Sequence, residues 1–196
     1  MSVLAAFAVP HPPIILPEVG RGEEKKIQKT IDAYREVMRR AAVLRPDTIV
    51  LTSPHATLYA DYFHISPGAS AEGSLSSFGF PDLRVRADYD EALAEAISQL
   101  TEKAGVPAGA LGERDRALDH GTLLPLHFLS EAYSGYRVVR IGLSGLSPLL
   151  HYRLGECIAR AAEKLGRRTV FLASGDLSHR LRRDGPYGFA PRGAGL

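Results

Sequence analysis

The sequence predicts an α/β fold: a three-layer α/β/α arrangement around a largely parallel or mixed central sheet, with histidines at the carboxyl rim of the strands. Three observations lead there. Short apolar, strand-like runs alternate with amphipathic helical segments, the pattern that yields a sheet covered on both faces. The 196 residues are enough for one well-buried core and few for two. Hydrophobic residues at 45% and charged residues at 23% give an ordinary globular balance, without internal repeat or low-complexity tract.

Residues 3–9 (VLAAFAV) read as a strand that stops at Pro10, after which Pro12 and Pro13 keep the chain extended. Within residues 23–44, Ile27, Ile31, Tyr34, Met38, Ala41 and Leu44 recur at three- and four-residue steps and share one helical face. Glu23 and Glu24 near its start, and Arg39, Arg40 and Arg45 near its end, suit the helix dipole. Arg45-Pro46-Asp47 ends the helix, and residues 48–52 (TIVLT) read as a buried strand. Residues 62–65 suit a further short strand, while residues 67–81, rich in Gly and Ser, read as a long loop. A second helix spans about residues 90–104, with Leu93, Ala96, Ile97 and Leu100 facing inward. A third covers residues 123–133, preceded by Asp119-His120-Gly121-Thr122. Residues 137–143 (RVVRIGL) are strand-like, residues 147–165 form a fourth helix, and residues 168–173 (RTVFLA) a last strand. The remainder, 174–196, is rich in Gly, Pro and Arg.

Composition excludes several classes. A net charge of +2, from 24 Lys and Arg against 22 Asp and Glu, cannot build the dense cationic face that nucleic acid requires. The single cysteine, Cys157, rules out an internal disulfide and a multi-cysteine zinc site. It falls on the apolar side of a helix and reads as a small core residue. No apolar run approaches the ~18–20 residues that span a bilayer. The apolar N-terminus lacks the preceding positive charge of a signal peptide. The expectation is a soluble, cytoplasmic chain. Gly142-Leu143-Ser144-Gly145-Leu146 lacks the final Gly of a nucleophile elbow. Gly105, Gly109 and Gly112 fit neither a dinucleotide fingerprint nor a P-loop.

The chemistry is concentrated in histidine. His11, His55 and His179 each follow a predicted strand within a few residues, so a parallel sheet would collect them at one rim, where α/β folds bind ligands. His120 lies at a predicted helix start. Imidazoles gathered there suit a divalent metal with proton-transfer partners. Pro10 and Pro54 restrict the backbone before His11 and His55. The bland reading is that strand ends carry polar residues and that Asp119 and Thr122 are ordinary helix caps. His64 reads as structural, and His127 and His151 carry no assigned role.

Four segments, Pro10-His11-Pro12-Pro13, Thr52-Ser53-Pro54-His55, Leu118-Asp119-His120-Gly121 and Ser174-Gly175-Asp176-Leu177-Ser178-His179, occur in this order. Together they resemble the LigB-like family, which comprises class III extradiol ring-cleavage dioxygenases and relatives such as the Memo proteins. The resemblance covers nearly the whole chain. Pro17-Glu18-Val19-Gly20-Arg21-Gly22, residues 59–67 and Asp184-Gly185-Pro186-Tyr187-Gly188-Phe189 look most similar to the LigB-like domain of the AmmeMemoRadiSam system. The resemblance implies a non-haem Fe(II) held by two histidines and a glutamate, with open positions for a catecholic substrate and dioxygen. His11 and His55 match the two ligating histidines. His179 matches the acid–base histidine, and His120 the one that helps to bind substrate or dioxygen.

The family's glutamate ligand normally lies downstream of the segment matching Tyr187-Gly188-Phe189-Ala190-Pro191, and no carboxylate occurs here after Asp184. The expectation is therefore one LigB-like domain over residues 1–196, incomplete at its C-terminus and with little or no turnover. Asp176 or Glu18 would be poor substitute ligands, because ligation demands close placement. Two alternatives use the same residues: a zinc site of the hydrolase type, and a non-catalytic Memo-like binding scaffold. The expected partners are a small aromatic diol and dioxygen, with no nucleic acid and no membrane. Apolar surface exposed by a shortened domain favours a homo-oligomer.

Overall fold

The computed structural model describes residues 2–112, 117–176 and 178–193. Its central sheet has four strands: β1 (Val3–Val9), β2 (Thr48–Ser53), β7 (Arg137–Gly142) and β8 (Thr169–Ser174). They run in the order β1-β8-β2-β7, and every pairing is parallel. Between them the chain forms the single-turn helix α1 (Pro17–Gly20), then α2 (Gln28–Val43), α3 (Glu91–Lys103), α4 (His120–Ser130) and α5 (Pro148–Lys164). Two short strands, β3 (Phe63–His64) and β6 (Ala108–Gly109), pair separately from the main sheet.

The strand sequences explain the two covered faces. Side chains alternate across a strand, so Ile49 and Leu51 of β2 enter the core formed with α2 and α4, whereas Val50 enters the core formed with α3 and α5. Val138 of β7 joins the first core and Val139 and Ile141 the second. Met38 and Tyr34 of α2, and Leu123, Leu124 and Leu129 of α4, are buried in the first layer. Leu93, Ile97, Leu154 and Ile158 fill the other. Cys157 is buried on α5. The expected three-layer α/β/α arrangement is what forms.

Three element assignments change, the first being that the helix expected over residues 123–133 forms three residues earlier, as α4, because Asp119 caps it. The helix expected over residues 23–44 opens with a tight turn, Glu23–Ile27, before the regular α2. More consequential is the segment read as a loop over residues 67–81. It belongs to an antiparallel hairpin of β4 (Ser70–Leu75) and β5 (Phe80–Asp88), joined by the turn Ser76–Phe78. The Gly and Ser of β4 have little strand propensity of their own, and the strand is made by its partner and its support. Ala71 and Leu75 are buried in the first core. Gly73 lies so close to Leu118 that a Cβ there would come 2.2 Å from the Leu118 carbonyl oxygen. The Leu118 amide donates to the Glu72 carbonyl at 3.1 Å, which fastens the hairpin to the residues leading into α4.

Because β8 is an internal strand with Leu172 fully buried, Leu172→Ala should destabilise the domain by about 2–5 kcal/mol. Urea unfolding followed by circular dichroism measures this as a lower midpoint with an unchanged slope.

Candidate metal centre

Parallel strands end at the same rim, and β1, β8 and β2 are consecutive neighbours in the sheet. His11 lies two residues past the end of β1, and His55 two residues past the end of β2. His120 is the first residue of α4, whose N-terminus arrives at the same place. One ring nitrogen from each of His11, His55 and His120 lies within 4.8 Å of the other two. His11 Nε2 and His55 Nε2 face each other at 3.1 Å. The His55 and His120 rings are 4.0 Å apart between centroids, and those of His11 and His120 5.3 Å.

His179 stands at the margin of this group, with its side chain 55% exposed. Asp176 links it to the cluster: one carboxylate oxygen lies 3.3 Å from His179 Nε2 and 3.6 Å from His11 Nε2. Tyr187 stacks on the His179 ring at 4.8 Å. A cleft of about 900 Å³ opens here, lined by His11, His55, His120, Asp176, His179 and Tyr187 among others. His64 lies elsewhere, buried in β3, and so do His127 and His151 on α4 and α5.

The supports are polar groups at strand ends. Ser174, the last residue of β8, places its Oγ 2.9 Å from His11 Nδ1. With that nitrogen protonated the ring donates to the serine and turns its Nε2 lone pair toward His55. Ser53, the last residue of β2, donates to Asp119 at 2.6 Å and accepts the His55 amide at 3.2 Å. Asp119 is the N-cap of α4, accepting from the Thr122 amide at 3.0 Å, and it also pairs with buried Arg140 of β7 at 3.0 Å. Asp119 thus caps α4 while His120, the next residue, stands beside His11 and His55. Phe78, from the hairpin turn, packs edge-on against His120 at 5.1 Å.

Sequence reasoning named the histidines and the Asp119 cap, but not Ser53, Ser174 or Arg140 as supports. Ser53 and Ser174 lie inside the motif segments, each closing a strand two residues before His55 or Asp176. Arg140 had a visible signal, a charge in the interior of an apolar strand run.

Burial lowers the pKa of His120 to about 4, and the neighbouring His55 and His11 push it the same way. Burial likewise lowers that of His11, although Asp176 opposes the shift. Burial works against ionisation of Asp119, but the bonds from Ser53 and Thr122 and the Arg140 charge outweigh it and hold its carboxyl below the usual range. The neutral form, the one that ligates a metal, is thus favoured at His11 and His120. The spacing fits as well. Two nitrogens each roughly 2.1 Å from one ion, at about a right angle, would lie about 3.0 Å apart, and His11 and His55 present theirs at 3.1 Å.

The family model described as the catalytic LigB subunit of aromatic ring-opening dioxygenase matches residues 5–193. The chain belongs to the LigB family. Among its relatives, a Clostridium acetobutylicum protein without a functional name is 37% identical over 98% of this chain. The 3,4-dihydroxyphenylacetate 2,3-dioxygenase of Escherichia coli is 28% identical over 92% of it. The 2,3-dihydroxyphenylpropionate/2,3-dihydroxicinnamic acid 1,2-dioxygenase of a Rhodococcus species is 32% identical over 90%. The chain spans 43%, 67% and 56% of the lengths of these three relatives. In this LigB-family member, no helix among the described residues is long and apolar enough to cross a membrane.

The lowered histidine values carry a sign. An unfolded chain protonates His120 near the ordinary value of 6.5, whereas the fold resists protonation until about 4, so acid favours unfolding across that window. Metal-free protein should lose stability to urea as pH falls from 6.5 to 4, and His120→Gln should flatten that dependence. Urea midpoints measured at intervals across this range provide the check.

Proposed function

We propose that this chain is a non-haem Fe(II)-dependent extradiol ring-cleavage dioxygenase-like protein acting on a catecholic aromatic. Membership of the LigB family supports the class, and the observation that carries the reading is the convergence of three imidazoles at the carboxyl rim. His11 and His55 would hold the iron. His120, within reach of both, would bind substrate or dioxygen beside it. A ferrous ion in this setting supplies open coordination positions and electron-transfer chemistry, so that diol and dioxygen meet.

The protein's own groups would handle the protons. His179 faces the cleft with Asp176 at 3.3 Å, where its imidazole would take a proton from a substrate hydroxyl and return it to an oxygen formed later. Asp176 would steady the protonated ring between the two steps. Apolar walls from Val9, Pro10, Leu181 and Tyr187 would accept the flat ring and keep water from it. The reaction breaks the ring carbon–carbon bond beside the diol, and both atoms of dioxygen enter the product.

Anaerobic reconstitution with Fe(II), followed by oxygen uptake on a panel of catechols, tests this. The expected result is one iron per chain and oxygen uptake, both lost in His55→Ala. Stoichiometric zinc with no oxygen uptake would move the protein to hydrolase-type chemistry. An absence of stoichiometric metal, with the fold intact after His11→Ala and His55→Ala, would make it a binding scaffold.

A further inference from the structure

We propose that Asp119 is the positioning residue of this centre, its carboxylate setting the separation of His55 and His120 by tying the end of β2 to the first turn of α4. This role rests on the metal reading above.

A helix cap needs one acceptor for one free amide. Asp119 does more. Its Oδ1 accepts from the Thr122 amide at 3.0 Å and from Ser53 Oγ at 2.6 Å. Its Oδ2 accepts from Thr122 Oγ1 at 2.7 Å and from Arg140 Nη2 at 3.0 Å. Three of these four bonds are superfluous to capping, and two of them reach other elements, β2 and β7. The bond to Ser53 continues to the site, because the same serine oxygen accepts the His55 amide. His120 is the next residue in the chain after Asp119. One carboxylate is therefore two hydrogen bonds, through Ser53 Oγ, from the backbone of His55, and its own residue precedes His120 in the chain.

The approach of the two elements is as close as the chain allows. Gly121 sits where a Cβ would come 2.5 Å from Ser53 Oγ, 3.0 Å from Asp119 Oδ1 and 3.3 Å from the His55 ring. A side chain there would displace Ser53 Oγ from its place between Asp119 and the His55 amide. The bond from Ser53, the ion pair with Arg140, whose side chain is 3% exposed, and the Thr122 bonds together hold the Asp119 carboxyl below its usual range against its burial. A charged acceptor makes the shorter, stronger bonds that a fixed geometry needs. Groups that orient metal-binding residues in this way typically alter metal affinity about 10–100-fold when removed.

Co(II) serves as the probe, since its visible spectrum reports coordination geometry independently of turnover. Ser53→Ala cuts the step from Asp119 to His55 while leaving the cap and the ion pair. Ser53→Thr retains the hydroxyl. Asp119→Asn removes the charge. The expected result is Co(II) binding at least about 10-fold weaker, with an altered visible spectrum, in Ser53→Ala and Asp119→Asn, and near wild type in Ser53→Thr. Should Asp119→Asn fail to fold, the serine pair decides. Wild-type affinity and spectrum in folded Ser53→Ala would overturn the role, as would equal weakening in Ser53→Ala and Ser53→Thr, which assigns the effect to packing. Wild-type protein that takes up no Co(II) would overturn the metal reading and this role with it.

Discussion

The parallel arrangement of β1, β8 and β2 is the constraint from which the rest of the site follows. Parallel strands deliver their carboxyl ends to one edge, and adjacent strands deliver them about 5 Å apart. Any residue placed just beyond such an end is brought to the same rim. Two of those strands close on a buried serine, Ser53 and Ser174, which meets the polar groups of the site. The hydrophobic layers on either face make that sheet rigid, so the rim offers fixed attachment points.

Electrostatics then separates the roles of neighbouring groups. Burial disfavours charge on His11 and His120, and His55 pushes both the same way. Asp119 lies in the same region but remains anionic, because a guanidinium and three further hydrogen-bond donors converge on it. A buried ion pair of this kind adds little to stability once desolvation is counted. Its effect lies in geometry, since it joins β7, β2 and α4 at one point.

The hairpin contributes to the same corner. It is held to Leu118 by the approach at Gly73, and its turn brings Phe78 against His120. The segment from Leu118 to His120 is thus gripped from the hairpin on one side and from the sheet on the other. The LigB-family match, over residues 5–193, covers all of these parts.

The sequence by itself determined the layer architecture, most element positions and the histidines worth attention. Periodicity of apolar residues is a local property, and Ile31, Tyr34 and Met38, or Leu154, Cys157 and Ile158, display it without reference to anything distant. The position of His11 and His55 just after strands is local too. Only the tertiary structure decided which histidines meet. His120 and His179 looked alike as motif members, yet one is packed among the other imidazoles and the other lies at the margin, half-exposed and joined to His11 through Asp176. The β4 strand was equally hidden, since Gly and Ser become a strand there through a partner that periodicity cannot reveal. Contacts such as Arg140 with Asp119, 21 residues apart, exist only once the strands are side by side.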